Sequence, residues 1–209
     1  MTTQRAGSRK PGTSAQGGRR LAWDALSVFC ISLALYAATA APSVATIFDD
    51  SLEFQVVLPT LGIAHPSGYP LYTLLGKLAT VLIPWRDPAG RANLFSALTA
   101  ALAVGLLYLV ARRLAGSRPA AATAAAVFAL SPAWWSQATL AEVYALHGLL
   151  MLAFVYMLLK WEAGARGQAE LAAAAAICGL GLAHHRMIVL LAPAALVFVA
   201  WADPGLLHA

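Results

Sequence analysis

The sequence predicts an all-α membrane protein that crosses the bilayer about six times. Three observations carry that prediction. Hydrophobic residues make up 60% of the chain and charged residues only 11%, against roughly 25% charged in soluble domains. Mean hydropathy is +0.71. The apolar residues fall into runs separated by short polar connections, where the arginines and lysines collect. The net charge of +5 does not point to nucleic acid, because the basic residues lie at the ends of apolar runs rather than on one patch. Cys30 and Cys178 sit inside apolar runs and suggest neither a disulfide framework nor a metal motif.

Residues 1–20 read as a disordered, basic cytoplasmic tail rich in Gly, Ser, Thr and Gln. The membrane module occupies 21–203. Its first run, Leu21 to Ala41, is long enough to span. Ala38-Thr39-Ala40 also fits a signal-cleavage pattern, but the run is long for a signal peptide. Residues 42–92 form the first outer loop. Within it, Leu71 to Trp85 is too short to span comfortably and carries Lys77, so an interfacial helix is expected. Asp87 is a helix N-cap with Pro88 at the first helical position. A span of about Asn93 to Ala111 follows and ends at Arg112-Arg113.

Arg118-Pro119 opens an alanine-rich helix over about Ala120 to Ala133, and alanine permits close helix packing. Trp134-Trp135-Ser136-Gln137 reads as an interfacial aromatic corner. A helix over about Leu140 to Leu159 has Glu142 near its start, where the helix dipole favours a negative charge. Two shorter runs, Glu170 to Ala183 and Met187 to Trp201, are separated by His184-His185-Arg186. Residues 204–209, with a solvated His208, form a tail. The third, fifth and sixth expected spans are short and must be tilted, extended at their ends or buried in a larger assembly.

The charges orient this arrangement. With the N-terminus inside, Arg5, Arg9, Lys10, Arg19, Arg20, Arg112, Arg113, Arg118, Lys160 and Arg166 all fall inside. Only Lys77, Arg86, Arg91 and Arg186 fall outside. That asymmetry supports six spans with both ends cytoplasmic. It also sends Asp49 to Pro70, Trp134 to Glu142 and His184 to Arg186 to one outer face.

The polar stretch from Asp49 to Pro70 carries three carboxylates within five residues, Asp49, Asp50 and Glu53, followed by His65 in a Pro/Gly-rich turn. If a helix starts near Asp50, Asp50 and Glu53 share a face, as do Asp49 and Glu53. Such carboxylates can serve as general base, metal ligand or acceptor-positioning groups; the plain alternative is a solvated acidic loop. His65 to Pro70 has turn chemistry throughout. His184, His185 and Arg186 form a cationic trio suited to a phosphate, or to an ordinary membrane interface. His147 reads as a packed helix residue. There is no Walker-type loop, zinc spacing, GxSxG motif, heptad repeat or transporter-type internal repeat.

Several stretches together resemble a known family. They are Asp50-Ser51-Leu52-Glu53, Thr60 to Tyr72, Gly76-Lys77-Leu78, Arg91 to Leu98, Trp135-Ser136-Gln137 and Ala141 to Leu146. The chain is similar, from about Leu21 to Ala200, to a bacterial membrane family akin to protein O-mannosyltransferases, within the GT-C superfamily of polytopic glycosyltransferases. It departs from the usual pattern at Leu52, Ser67 and His147, where the family more often has glycine, a second proline and asparagine. Family members are longer, so the resemblance implies an N-terminal part that a downstream chain completes.

The resemblance implies a GT-C-like fold in a bacterial cytoplasmic (inner) membrane. Its function would be transfer of a mannose-like sugar from a polyprenyl-phosphate carrier to a protein, lipid or glycan hydroxyl on the non-cytoplasmic face. Asp50 and Glu53 would then be catalytic. Asp49, His65, Tyr69, Glu142, His184, His185 and Arg186 would bind substrate. No cofactor is certain; a divalent metal on Asp50 or Glu53 is compatible with some relatives. The competing functions are a non-catalytic protein that binds or transports a lipid-linked substrate, and an inactive truncated paralogue.

Overall fold

The computed structural model describes residues 12–164 and 167–207, and all regular structure among them is helical. Arg5, Arg9, Lys10, Arg166 and His208 lie outside the described residues. The helices are α1 (Gly12–Thr39), α2 (Asp49–Thr60), α3 (Pro70–Leu82), α4 (Pro88–Ala115), α5 (Arg118–Leu130), α6 (Pro132–Thr139), α7 (Val143–Ala163), α8 (Gln168–Leu182) and α9 (Ala192–Ala202). Short 3-10 helices cover Arg186–Leu191 and Pro204–Leu207. The long first outer loop contains two helices, α2 and α3; the first starts at Asp49, beside the helix start the sequence suggested near Asp50.

Three helices are long and apolar enough to cross a membrane: Gln16–Thr39 within α1, Pro88–Ala115 and Val143–Ala163. The six expected spans are thus three long helices plus shorter apolar pieces. The third expected span is short because it breaks. Ser131 alone separates α5 from α6: its Oγ donates to the Phe128 carbonyl at 2.8 Å and accepts the Trp134 N–H at 3.4 Å. One serine therefore caps two helices, and Pro132 opens the second. The sixth expected span starts as the 3-10 turn Arg186–Leu191 and only then becomes α9.

Helix α1 begins at Gly12, so the described part of the stretch expected to be a disordered tail is helical. Extending an existing helix costs far less than nucleating one. Trp134 is no interfacial anchor. It is buried, and its ring fills the space beside Gly148, where an added Cβ would meet it at 2.7 Å.

Helix α4 is the central post. Its small residues Ala97, Ala100, Ala101, Ala103 and Val104 are fully buried among α1, α5, α6 and α7. At Gly105 an added Cβ would lie 3.2 Å from Phe29 Cβ, so glycine sets how closely α1 and α4 approach. A second core of Phe54, Leu58, Tyr72 and Phe95 fixes α2 and α3 on the start of α4. A third, built on Phe154, Leu158 and Ala174, joins α7 to α8 and α9.

Arg86 turns the chain from α3 into α4 at a left-handed φ of 68°. Its guanidinium donates to the Ala37, Ala40 and Ala41 carbonyls at 3.0–3.3 Å, satisfying the end of α1. Asp87 caps α4 through Gly90 N–H at 2.7 Å, as its place before Pro88 predicts, and also bonds Ser43. Lys77, unusual inside an apolar helix, donates to the Pro59 carbonyl at 2.6 Å.

Candidate functional site

Helix α2 buries Ser51, Phe54, Gln55 and Leu58, which recur at helical spacing on one face. That leaves Asp50 and Glu53 beside the loop that carries His65. Glu53 accepts the His65 backbone N–H at 2.7 Å on one oxygen and meets His65 Nδ1 at 2.5 Å with the other. The imidazole is thereby fixed at both backbone and ring. Its Nε2 faces the Tyr69 hydroxyl at 3.3 Å and an Asp50 oxygen at 3.9 Å. The Asp50 side chain is 49% exposed, against 34% for His65, so Asp50 is the more accessible partner. Asp49 opens α2; its side chain is outside the described set.

Tyr69 holds a left-handed φ of 45° ahead of Pro70, a backbone conformation costly for a residue with a side chain. Its ring is wedged among Phe54, His184 and His185, with centroids at 5.5, 6.2 and 5.9 Å. Packing on several sides offsets the strain, and such outliers gather at functional sites. The Leu71 N–H also donates to the Ala183 carbonyl at 3.3 Å. The first loop and the His184–Arg186 turn therefore meet, as the sequence led us to expect.

Within that turn the residues differ. His184 is buried and its Nε2 sits 2.9 Å from the Val143 carbonyl, so it donates there and ties α8 to α7. Burial pushes its pKa down to about 4, which keeps it neutral. His185 is half-buried, and burial followed by the Arg186 charge pushes its pKa down as well. Arg186 is exposed and is the permanent cation of the turn. His147 packs against His185, with ring centroids 4.7 Å apart, and its buried Nδ1 has no partner. A packed residue was expected there, but not one at the site.

Glu142 is fully buried. It accepts the Ser51 hydroxyl at 2.5 Å, and its N–H donates to Ser96 Oγ at 3.1 Å. Burial raises its pKa, and the Ser51 bond partly opposes that. Glu142 thus sews α2 to the start of α7 from beneath the site. His65 behaves differently: the Glu53 hydrogen bond raises its pKa, so the dyad favours the imidazolium.

Asp50, Glu53 and His65 each offer a ligand atom within 4.8 Å of the others, an O/N donor set that suits a divalent ion. His65 Nδ1 and one Glu53 oxygen are engaged with each other. An ion would have to bind through the remaining atoms or displace the proton between the two.

Several site-building residues were missed by sequence reasoning. Asn93 accepts the Ala141 N–H at 2.9 Å and donates to the Ala41 and Ser43 carbonyls at 3.0 and 3.1 Å. Gln55 brackets Ala45 through both its N–H and its carbonyl. Ser96 bridges Tyr72 and Glu142. The available signal was a polar residue in an apolar helix, which demands a partner.

The family described as the protein O-mannosyl-transferase TMEM260 N-terminal domain matches residues 50–206. The chain belongs to this family. The matched segment contains Asp50, Glu53, His65, Tyr69, Glu142 and the His184–Arg186 turn. Over 144 residues the chain is 38% identical to the protein O-mannosyl-transferase TMEM260 of Mus musculus, covering 68% of this chain and 20% of the mouse protein. It is 27% identical over 125 residues to the protein O-mannosyl-transferase tmem260 of Dictyostelium discoideum, covering 59% of this chain and 15% of that protein. The chain therefore spans a fifth or less of the length of these relatives. No solved structure matches it.

Proposed function

We propose that the chain is the N-terminal membrane module of a glycosyltransferase that moves a mannose-type sugar from a polyprenyl-phosphate carrier to an acceptor hydroxyl. The observation that carries this reading is the accessible Asp50 carboxylate, set beside a Glu53–His65 pair and across from the His185-Arg186 turn. Asp50 takes the proton from the acceptor hydroxyl as its oxygen bonds to the anomeric carbon. The bond from that carbon to phosphate oxygen breaks, and the electron pair leaves with the phosphate. Arg186, helped by His185, offsets the charge that builds there.

Glu53 acts through His65, holding a cationic ring beside Asp50. Tyr69 lines the approach of the sugar and acceptor. His184 and Glu142 support these groups from the buried side. The site faces the non-cytoplasmic side of the membrane, in bacteria the outer face of the cytoplasmic membrane. The support is the opposite end, where Arg20, Arg112, Arg113 and Arg118 collect. A downstream portion completes the module, in keeping with the length of the relatives.

The test is Asp50→Asn in the full-length protein, assayed for transfer from a polyprenyl-phosphate sugar. Activity falls about a hundredfold or more, the scale of a lost general base, while thermal stability is kept. Unchanged activity in a preparation that demonstrably transfers sugar would remove Asp50 from the reaction.

A further inference from the structure

The end of the bundle opposite the site holds a second polar feature, which sugar transfer does not use. A cavity of about 420 Å³ opens among the start of α1, the end of α4 and the start of α5, lined by Arg20, Arg112, Arg113 and Arg118 with Asp24 as its one acid. Asp24 is already engaged. Arg118 Nε and Nη2 donate to its two oxygens at 2.8 and 2.5 Å, and the Tyr108 hydroxyl adds a bond at 3.0 Å. Arg113 donates to the Leu159 carbonyl at 3.1 Å and lies 5.4 Å over the Tyr156 ring. Arg20 and Arg112 pair with no acid among the described residues. Two guanidinium groups without a close acid thus share one cavity at the edge of the membrane-spanning helices, Arg20 exposed and Arg112 near enough to Asp24 to interact with its charge.

The cavity leads into an apolar groove. A hollow of about 500 Å³ begins at Asp24 and Arg118 and runs past Val28 and Ala122. Another, of about 200 Å³, continues from Val28 to Leu35 on α1 and from Ala122 to Leu130 on α5. The groove exists because α5 presents Ala122, Ala125, Ala126 and Ala129, which are too small to fill the space beside α1. Its rims are open, with Ile31 70% and Leu130 59% exposed. From Asp24 to Leu35 a helix rises about 16 Å at 1.5 Å per residue. That is close to roughly half of the 30 Å hydrocarbon core, the depth of one leaflet.

We propose that this is a binding site for one anionic phospholipid, with its phosphate between Arg20 and Arg112 and one acyl chain along the α1–α5 groove. The charge selects an anionic headgroup over a zwitterionic one. The depth of the groove selects a lipid over free phosphate, which would leave the groove unused. The inference is independent of the proposed sugar transfer.

Native mass spectrometry of the full-length protein, purified and supplied with phosphatidylglycerol or phosphatidylcholine, tests it. Phosphatidylglycerol is retained at one per chain and phosphatidylcholine is not. The double variant Arg20→Gln/Arg112→Gln weakens retention about thirtyfold, the effect of two guanidinium groups near a membrane surface. It leaves the Asp24–Arg118 pair and the melting temperature unchanged. Ala126→Phe, which fills the groove without touching an arginine, also weakens retention, and millimolar inorganic phosphate does not displace the lipid. Equal retention of the two lipids, or no effect of the arginine variant, would overturn the site. Displacement by phosphate, or no effect of Ala126→Phe, would overturn the lipid assignment. So would a groove that holds no lipid because another segment of the full-length polypeptide occupies it.

Discussion

His184 and His65 both belong to the site, yet the fold drives them in opposite directions. An ordinary imidazole titrates near 6.5, while His184 in the fold titrates near 4 because it is buried. Between those values the unfolded chain binds more protons, so the stability His184 contributes is complete above about 6.5 and is lost as pH falls toward 4. The loss reaches about 3 kcal/mol, and His184→Gln should flatten melting temperature against pH over that interval. His65, raised first by the Glu53 hydrogen bond, has the reverse sign. Its contribution is full below the ordinary imidazole value and is lost as pH rises through the raised one. At Glu142 the decisive partner is Ser51. Ser51→Ala leaves a buried carboxyl without its donor and should cost about 1–3 kcal/mol by chemical denaturation. Glu142→Gln, which keeps an acceptor for Ser51, should cost less. Asp50 and Glu142 both stand out in the sequence as acids beside apolar runs. That one carboxyl would be exposed and the other sealed was not legible there, because burial depends on the helix facing each of them.

At the scale of elements, two glycines set how helices and turns meet. A Cβ on Gly90 would lie 2.1 Å from the Pro42 carbonyl oxygen, and one on Gly181 would lie 2.2 Å from Ile188 Cδ1. Each alanine substitution should lower stability by about 1–3 kcal/mol, as overpacking does. The two differ in rescue. Ile188→Val removes the clashing atom and should restore much of Gly181→Ala, whereas no side-chain truncation relieves Gly90→Ala, because its obstacle is backbone. A denaturation series on the single and double variants checks this. Asp87-Pro88 and Arg118-Pro119 announced α4 and α5 in the sequence through local capping chemistry. The break at Ser131 lies two residues before the end at Ala133 that the sequence suggested, because Ser131-Pro132 caps one helix and opens the next. The start of α2 near Asp50 could be suggested from the sequence, but its extent could not, because Pro59 falls inside it.

For the whole molecule, the charge distribution forecast which polar clusters would share an end, and Tyr69 against His184 and His185 shows the first loop and the last turn together. The sidedness of that end is checked with single cysteines in a Cys30→Ser/Cys178→Ser background. Ser67→Cys, on the exposed turn after His65, should react in intact cells with a membrane-impermeant thiol reagent. Ser117→Cys, beside the arginines of the other end, should not. Ser51 is unsuitable for this purpose because it is fully buried. The convergence could be forecast because a bilayer leaves helices few directions to run. The polar ties that hold it could not, because each joins residues distant in sequence. Asn93 is the clearest of those ties: one carboxamide fastens the end of α1, the start of the first loop and the approach to α7. The headland of the protein is thus clamped to itself rather than floated on its lipids. When the surrounding bilayer is made thinner or thicker, the long helices should lean to follow it. The spacing of Asp50, His65 and Arg186 should meanwhile stay constant, as in a lock set in the frame of a door and not in its hinge.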